Sequence, residues 1–366
     1  MTDAADLKHS PLDAVHRALK AKLGPFAGWD MPIEYAGTLA EHQAVREAVG
    51  VFDLSHLGKV EVRGPGAKAA LQHALTNDLD RLTEPGAAQY TLCLDDNGGI
   101  VDDLIAYREE GDDWLLVPNA ANWPLVADQV RASVKELGVE AEVTGRPDLA
   151  VIAVQGPGAP VLVERWFPVA AELPYMHFAP IEFDGYAGRV ARTGYTGERG
   201  FELIVPGEVA PELWDRAVAG GAVPAGLGAR DTLRLEMGYA LHGNDISTAT
   251  DPISARLGWA VALGKGDFRG RDRVAAVKEQ GPERVLTGLE SLDRNIPRAH
   301  MRVLDGDTEV GEVTSGTFSP TLRHGIALAY VDADKVAVGT ELEIEVRSRR
   351  GRVHVTRPPF VPSSPK

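Results

Sequence analysis

One cysteine, Cys93, stands among 366 residues, so the chain can build neither an intramolecular disulfide nor a cysteine-rich metal centre. Its place in an apolar run reads as a packed, inert thiol. Long hydrophobic runs are missing as well: none approaches the ~18 residues of a membrane span, so no membrane partner is expected. The first dozen residues carry Asp3, Asp6 and Pro11. They lack the apolar core of a signal peptide and the arginine-rich, acid-poor character of a transit peptide, which predicts a cytoplasmic protein. Positive charge is short. With 38 Lys and Arg against 53 Asp and Glu, the formal net charge is −15, which excludes the broad basic face of a general nucleic-acid binder. An anionic small ligand stays possible where a few arginines converge. There is no Gly-x-Ser-x-Gly elbow, Walker loop or His-Glu-x-x-His, and the 10 histidines show no ligand spacing, so neither a metal nor a flavin is expected. A lone histidine such as His56 reads as a structural hydrogen-bonder.

What is present is an ordinary globular composition, 44% apolar and 25% charged, on a length that suggests two or three domains or lobes. The chain centres on Gln89 to Arg108, where two apolar, β-rich runs flank Asp96-Asn97-Gly98-Gly99. Asn-Gly between such runs signals a hairpin because both residues tolerate positive φ. Its second arm carries Asp102 and Asp103 between Ile100-Val101 and Leu104-Ile105. Burying an unpaired carboxylate costs several kcal/mol, so this pair needs an explanation. Neighbouring strand residues point to opposite faces, so at most one of the two serves a given pocket. Parity does not choose between them, and the alternative is that one caps the turn while the other pairs with an arginine.

Elsewhere, Ser10-Pro11 followed by Leu12, Val15, Leu19 and Leu23, with Gly24 beyond, predicts a capped helix. Phe26 to Tyr35 is aromatic and aperiodic, and reads as a packed loop or irregular strand. Thr38 to Glu41 is a capping box for a second helix ending at Gly50. Val60 to Arg63 followed by Gly64-Pro65-Gly66 and a helix recurs as Ile152 to Gln155 followed by Gly156-Pro157-Gly158, which predicts an internal strand-turn-helix repeat. The first copy also fits a dinucleotide fingerprint superficially, but the proline removes an amide donor and no clear βαβ unit follows. Strands are expected at 114–117, 181–183, 189–193 and 201–205, a helix from about Asn122, and a glycine-rich loop from Gly194 to Gly200. A helix over 229–238 places Arg230 and Arg234 on one face, with Asp231 and Glu236 as possible partners. Gly281-Pro282 is the expected boundary between residues 1–280, two interleaved α+β lobes, and residues 281–366, a small β barrel or sandwich.

Several stretches together resemble the aminomethyltransferases, the tetrahydrofolate-dependent T-proteins of the glycine cleavage system, within a folate-binding superfamily. They are Phe26-Ala27-Gly28-Trp29, Phe52-Asp53-Leu54-Ser55-His56, Asn97 to Asp103, Gln155-Gly156-Pro157, Thr193 to Glu198, Ala229 to Glu236, Gly243-Asn244-Asp245 and Pro359-Phe360-Val361-Pro362. The resemblance implies an α+β, three-lobed cloverleaf around a central folate pocket, with a C-terminal β-barrel lobe. It implies transfer of a methylene from an aminomethyl group on the lipoyl arm of a carrier H-protein to tetrahydrofolate as acceptor substrate. It also implies that the second acid, Asp103, is catalytic, and that folate contacts fall on Tyr90, Asn119, Tyr195, Glu202, Arg230 and Trp259. The chain departs from the family at Leu57, where a methionine packs on folate, and at its end, where Ser363-Ser364-Pro365-Lys366 lacks a terminal tyrosine. A folate-dependent demethylase is the competing enzyme reading, since a shared scaffold does not fix its chemistry. A non-catalytic folate-binding module is disfavoured by the intact Asp103 context and by the absence of a late reactive cysteine. Asp102, on the opposite strand face, is expected to matter mainly for stability.

Overall fold

The structure, a computed structural model, describes residues 7–346 and 349–365. Asp3, Asp6 and Lys366, on which the leader and tail readings lean, lie outside these residues. The β-rich runs assemble into four sheets. A three-stranded sheet at the N-terminus contains Lys8–His9, Lys22–Phe26 and Trp29–Glu34. A six-stranded sheet runs in the order Phe178–Phe183, Tyr186–Ala191, Gly200–Pro206, Leu149–Gln155, Gly50–Asp53 and Val223–Pro224. A five-stranded sheet runs Ala88–Leu94, Ile100–Arg108, Trp114–Val117, Val60–Arg63 and Glu142–Gly145. The last sheet closes on itself as a barrel of Arg284–Ser291, His324–Asp332, Thr308–Ser319, Arg302–Asp305, Glu341–Val346 and Arg349–Thr356. Closure leaves no unpaired edge, and the inward side chains Leu289, Val303, Val313, Ala327, Ile344 and Val353 form the barrel's own core.

The internal repeat is a repeat of structure. In each copy a strand ends in a glycine at positive φ, Gly64 at 108° and Gly156 at 124°, a conformation that side chains with a Cβ rarely adopt. The second glycine then caps the helix Ala67–Ala74 or Ala159–Trp166. Its N–H donates to a carbonyl on a neighbouring segment, Glu140 for Gly66 and Ala48 for Gly158. That packing also disposes of the dinucleotide motif: a Cβ at Gly66 would sit 2.6 Å from Val139 Cβ, so protein occupies the place of a phosphate.

Four local expectations change. The helix predicted from Ser10 covers only Asp13–Ala18, because Leu23 and Gly24 pair with Trp29–Glu34 across the Ala27-Gly28 turn. Ser10 instead donates its hydroxyl to Asp53, which also accepts His16 Nε2 at 2.9 Å. The second helix is Thr38–Glu47 with Gly37 as its cap residue, and Gly50 opens a strand. Thr38 gives its hydroxyl to Glu34, while Glu41 does turn back, accepting the amides of Tyr35, Ala36 and Gly37 at 2.6, 2.9 and 3.0 Å. In the central hairpin only Gly98 takes positive φ, at 81°. The turn is held by Asp95, whose Oδ1 accepts the amides of Asn97 and Gly99, an Asx arrangement that replaces the two-residue turn expected of Asn-Gly. Finally, the helices Ala210–Ala219 and Arg271–Gln280 and the strands Glu142–Gly145 and Arg349–Thr356 are among the additional elements.

The helix Leu227–Glu236 joins the barrel to the lobes. Arg234 meets Asp231, buried Asp245 at 2.7 Å and Ser315 of the barrel, while Glu236 meets His42, Arg46 and Ser319. Asp231 thus pairs with an arginine of its own helix, and Glu236 does not. The tail packs back here too, through Phe360 N to Glu236 O and Ser364 N to Gly197 O.

Candidate active site

Asp103 lies on the strand Ile100–Arg108 opposite Leu92, and Asp102 opposite Cys93. Alternation along the strand buries Asp102 completely and leaves Asp103 partly open. Neither caps the turn, and neither meets an arginine among the described residues. Tyr90, from the facing strand, donates its hydroxyl to Asp103 Oδ2 at 3.0 Å. Asn119 follows the strand Trp114–Val117, where Pro118 ends the run and the chain turns into the helix Trp123–Leu137. Its Nδ2 donates to Asp103 Oδ1 at 2.9 Å and to Asp102 Oδ1 at 2.8 Å, and its backbone N–H to Asp102 Oδ2 at 2.9 Å. Opposite strand faces therefore do not separate the two acids, because one asparagine holds both.

Burial pushes both carboxyl groups above the ordinary range. For Asp102, burial and then the charge of Asp103 raise the pKa to about 7 against the donors from Asn122 and Asn119. For Asp103, burial raises it while the Tyr90 hydroxyl, the nearby His242 ring and Asn119 pull it back. A carboxylate whose pKa is raised by burial is a stronger base than an exposed one, which suits proton transfer.

The remaining expected residues fall into two contacts and two outliers. Trp259, 64% exposed, stacks on Tyr90 with ring centroids 5.1 Å apart. Its exposure gives the wall beside Asp103 a free aromatic face. The Arg230 guanidinium lies 4.8 Å from the Tyr195 ring and has no hydrogen bond or ion pair among the described residues. The Tyr195 hydroxyl donates to Ala240 O, which fixes the ring. Glu202 accepts the Thr193 hydroxyl at 2.5 Å on one oxygen, and it touches none of the other expected residues directly. Leu57 is also without direct contact to them. It packs against the buried cluster that contains Phe52 and Leu54, and the next residue donates its N–H to Pro118 O, beside Asn119.

His56 does not behave as a structural hydrogen-bonder. It is buried, its Nδ1 has no partner among the described residues, and its ring meets Phe26 edge-on at 5.3 Å. Burial, reinforced by the positive charges of Arg230 and Lys59, holds its pKa down at about 3 against the pull of Asp53, so the ring stays neutral. Two residues that sequence reasoning missed join the site from behind. Asn122 Nδ2 donates to Asp102 Oδ1 at 2.8 Å and to His242 Nδ1 at 3.0 Å. The Asn-x-x-Asn spacing before the helix was the available signal, since both side chains emerge from one turn. A cleft of about 410 Å³ opens outside this point, with Asn122, Leu125, His242, Thr248 and Arg269 among its lining residues. Far from it, His9, Asp13 and Asp30 bring three possible metal donors within 4.8 Å of one another, but Arg17 already bridges both aspartates at 2.9 Å.

Comparison with known proteins covers the chain from end to end. Residues 12–265 match the family described as the GCVT N-terminal domain, and residues 284–362 the glycine cleavage T-protein C-terminal barrel domain. An aminomethyltransferase of Frankia alni is 53% identical over 99% of this chain and all of its own length. One from Mycobacterium avium is 50% identical over 99% of both. The crystal structure of glycine cleavage system aminomethyltransferase T from Bartonella henselae superposes with a TM-score of 0.92 at 36% identity, covering 98% of this chain and 99% of that one.

Proposed function

The chain belongs to the aminomethyltransferases, the T-proteins of the glycine cleavage system, and from that premise we propose that Asp103 is its catalytic acid–base group. The reaction moves a methylene from an aminomethyl thioether on the lipoyl arm of a carrier H-protein to tetrahydrofolate, releasing ammonia and the free thiol. Two folate N–H bonds give way to two N–C bonds. Of the two protons released, one leaves with ammonia and the other ends on sulfur. A carboxylate beside those nitrogens accepts a proton and stabilises the positive charge that develops as the amine is expelled. Asp103 suits that task because burial brings its pKa towards neutrality and two donors fix both of its oxygens.

The folate contacts are assigned on the same footing. Trp259 offers a flat face for the ring system with Tyr90 behind it, Leu57 is assigned as an apolar contact, and Tyr195, whose ring carries Arg230 at 4.8 Å and Tyr239 at 5.5 Å, contributes by holding the guanidinium in place. Glu202 is left with one carboxylate oxygen to take the amino and ring N–H groups of a pterin. The observation that carries the folate assignment is Arg230. A guanidinium without a partner calls for an anion, and the glutamate carboxylates of folate supply one. Asn119 would reach the ligand through Asp103. The test is reconstitution with aminomethylated carrier and tetrahydrofolate. Ammonia and 5,10-methylenetetrahydrofolate are expected in equal amounts, and their absence would remove the reading. No helix among the described residues is long and apolar enough to cross a membrane.

A further inference from the structure

We propose that Asp102, itself held by Asn122 and His242, is the positioning residue that keeps the Asn119 carboxamide turned with its N–H groups towards Asp103. This rests on the assignment of Asp103 above. The two ends of a carboxamide have nearly the same shape, so packing alone does not decide whether Asn119 offers Asp103 a hydrogen or an oxygen. The hydrogen-bond partners decide it. Asp102 takes the backbone N–H of Asn119 on Oδ2 and the side-chain N–H on Oδ1, gripping the residue at two points. With that grip in place, the second Nδ2 hydrogen faces Asp103 Oδ1 at 2.9 Å and the Asp103 carbonyl at 3.1 Å. Turning the amide over would set its oxygen against three acceptors.

Asp102 is oriented in its turn. Asn122 gives one hydrogen to Asp102 Oδ1 and the other to His242 Nδ1, which must therefore be the unprotonated nitrogen. The tautomer is fixed from the far side, where Nε2–H donates to the carbonyl of Ile100 at 3.0 Å. Ile100 lies on the same strand as the two acids, so the chain of bonds closes on the element it serves. Every hydrogen in it has an acceptor, an arrangement that defines one geometry and loses it if any link is cut.

Asp102→Asn keeps the shape but cannot keep the grip. Whichever way the new amide turns, its NH2 meets an N–H of Asn119. We expect turnover to fall by about 10- to 100-fold, the size typical when a group that orients a functional side chain is lost, with KM for tetrahydrofolate little changed. Asn122→Leu leaves both carboxylates in place and should lose turnover by a smaller factor, again without a change in KM. The decisive measurement is non-additivity: in Asp103→Asn protein, adding Asp102→Asn should cost nearly nothing more, because Asp102 acts through Asp103. Normal turnover in Asp102→Asn overturns the proposal, as does a loss that multiplies fully with that of Asp103→Asn. If Asp102→Asn does not fold, normal turnover in Asn122→Leu overturns it. If Asp103→Asn proves silent while Asp102→Asn is dead, the assignment of Asp103 fails, and Asp102 becomes the acid rather than its support.

Discussion

Replacing Arg230 by methionine should make the empty protein more stable and the working enzyme worse. The guanidinium sits in the first turns of the helix Leu227–Glu236, partly buried, with the Tyr195 ring 4.8 Å away and no counter-ion among the described residues. Burial lowers its pKa from the usual arginine value, opposed by the charge of Glu202, which makes no ion pair with it, so the folded state bears a desolvation cost for this cation. The face contact with Tyr195 returns about 1 kcal/mol of that cost. Methionine has no charge to desolvate and keeps a sulfur–aromatic contact, so a net gain on the order of 1 kcal/mol is expected, or a melting temperature higher by about 2 °C. Ligand binding should show the opposite sign. A charge-assisted bond to a tail carboxylate contributes about 1.5–3 kcal/mol, so KM for tetrahydrofolate should rise about 10- to 100-fold while turnover at saturation holds. Tetrahydropteroate, which lacks the glutamate, separates the causes: its KM should be nearly indifferent to the substitution. A lower melting temperature, or an equal loss with the tail-less acceptor, would refute the reasoning.

Asp103→Asn should reduce turnover by about 100-fold or more and leave folate affinity, read by ligand-induced stabilisation, almost intact, since shape is kept and charge is lost. Glu236 should make stability depend on acid. Burial raises its pKa, but His42, Ser319 and Arg46 outweigh that and hold it at about 2, below the ordinary 4.5. The unfolded chain then binds the extra proton, so the contribution of about 3 kcal/mol is complete above pH 4.5 and disappears as pH falls towards 2. Urea midpoints against pH should show that slope in the parent and a flatter one in Glu236→Gln. Glu41→Ala should strand the buried amide of Gly226 and leave the less buried amides of Tyr35, Ala36 and Gly37 without their acceptor, at about 2 kcal/mol or more, read as a lower urea midpoint.

The parts of this fold that were legible in the sequence are those whose cause is local. Val60–Arg63 and Trp114–Val117 could be bounded to the residue, because an alternating run ends at a glycine in the first and an apolar run at a proline in the second. The Asp184-Gly185 turn was equally plain, and both residues do take positive φ, 49° and 83°. The illegible parts were decided at long range. Nothing local shows that Leu23 and Gly24 leave their helix-like stripe for a strand, since the partner that draws them lies across a turn. Thr38 fails as a cap because Glu34, on the preceding strand, takes its hydroxyl.

The same distinction explains what could be read of the site. Two adjacent acids in a strand announce a carboxylate that needs a reason, and alternation assigns them to different faces. From there the step to different jobs is natural, but alternation describes where side chains leave the backbone, not what they reach. Asn119 approaches from the end of the neighbouring strand, and its backbone N–H and side chain together span the pleat, so one residue touches both acids. This contact depends on Pro118 ending the strand and on Asn122 starting the helix, so it is a property of a strand end rather than of a strand. The strand end also supplies an explanation for the pair itself. With Asp103 alone, the amide would be held only through its contacts to that residue's carboxylate and carbonyl. With a second carboxylate behind it only one orientation remains, and keeping Asp102 buried and close to Asp103 raises the pKa of Asp102 to about 7. The raised pKa is the electrostatic cost of packing two acids within reach of one amide, and the donors from Asn119 and Asn122 offset part of it.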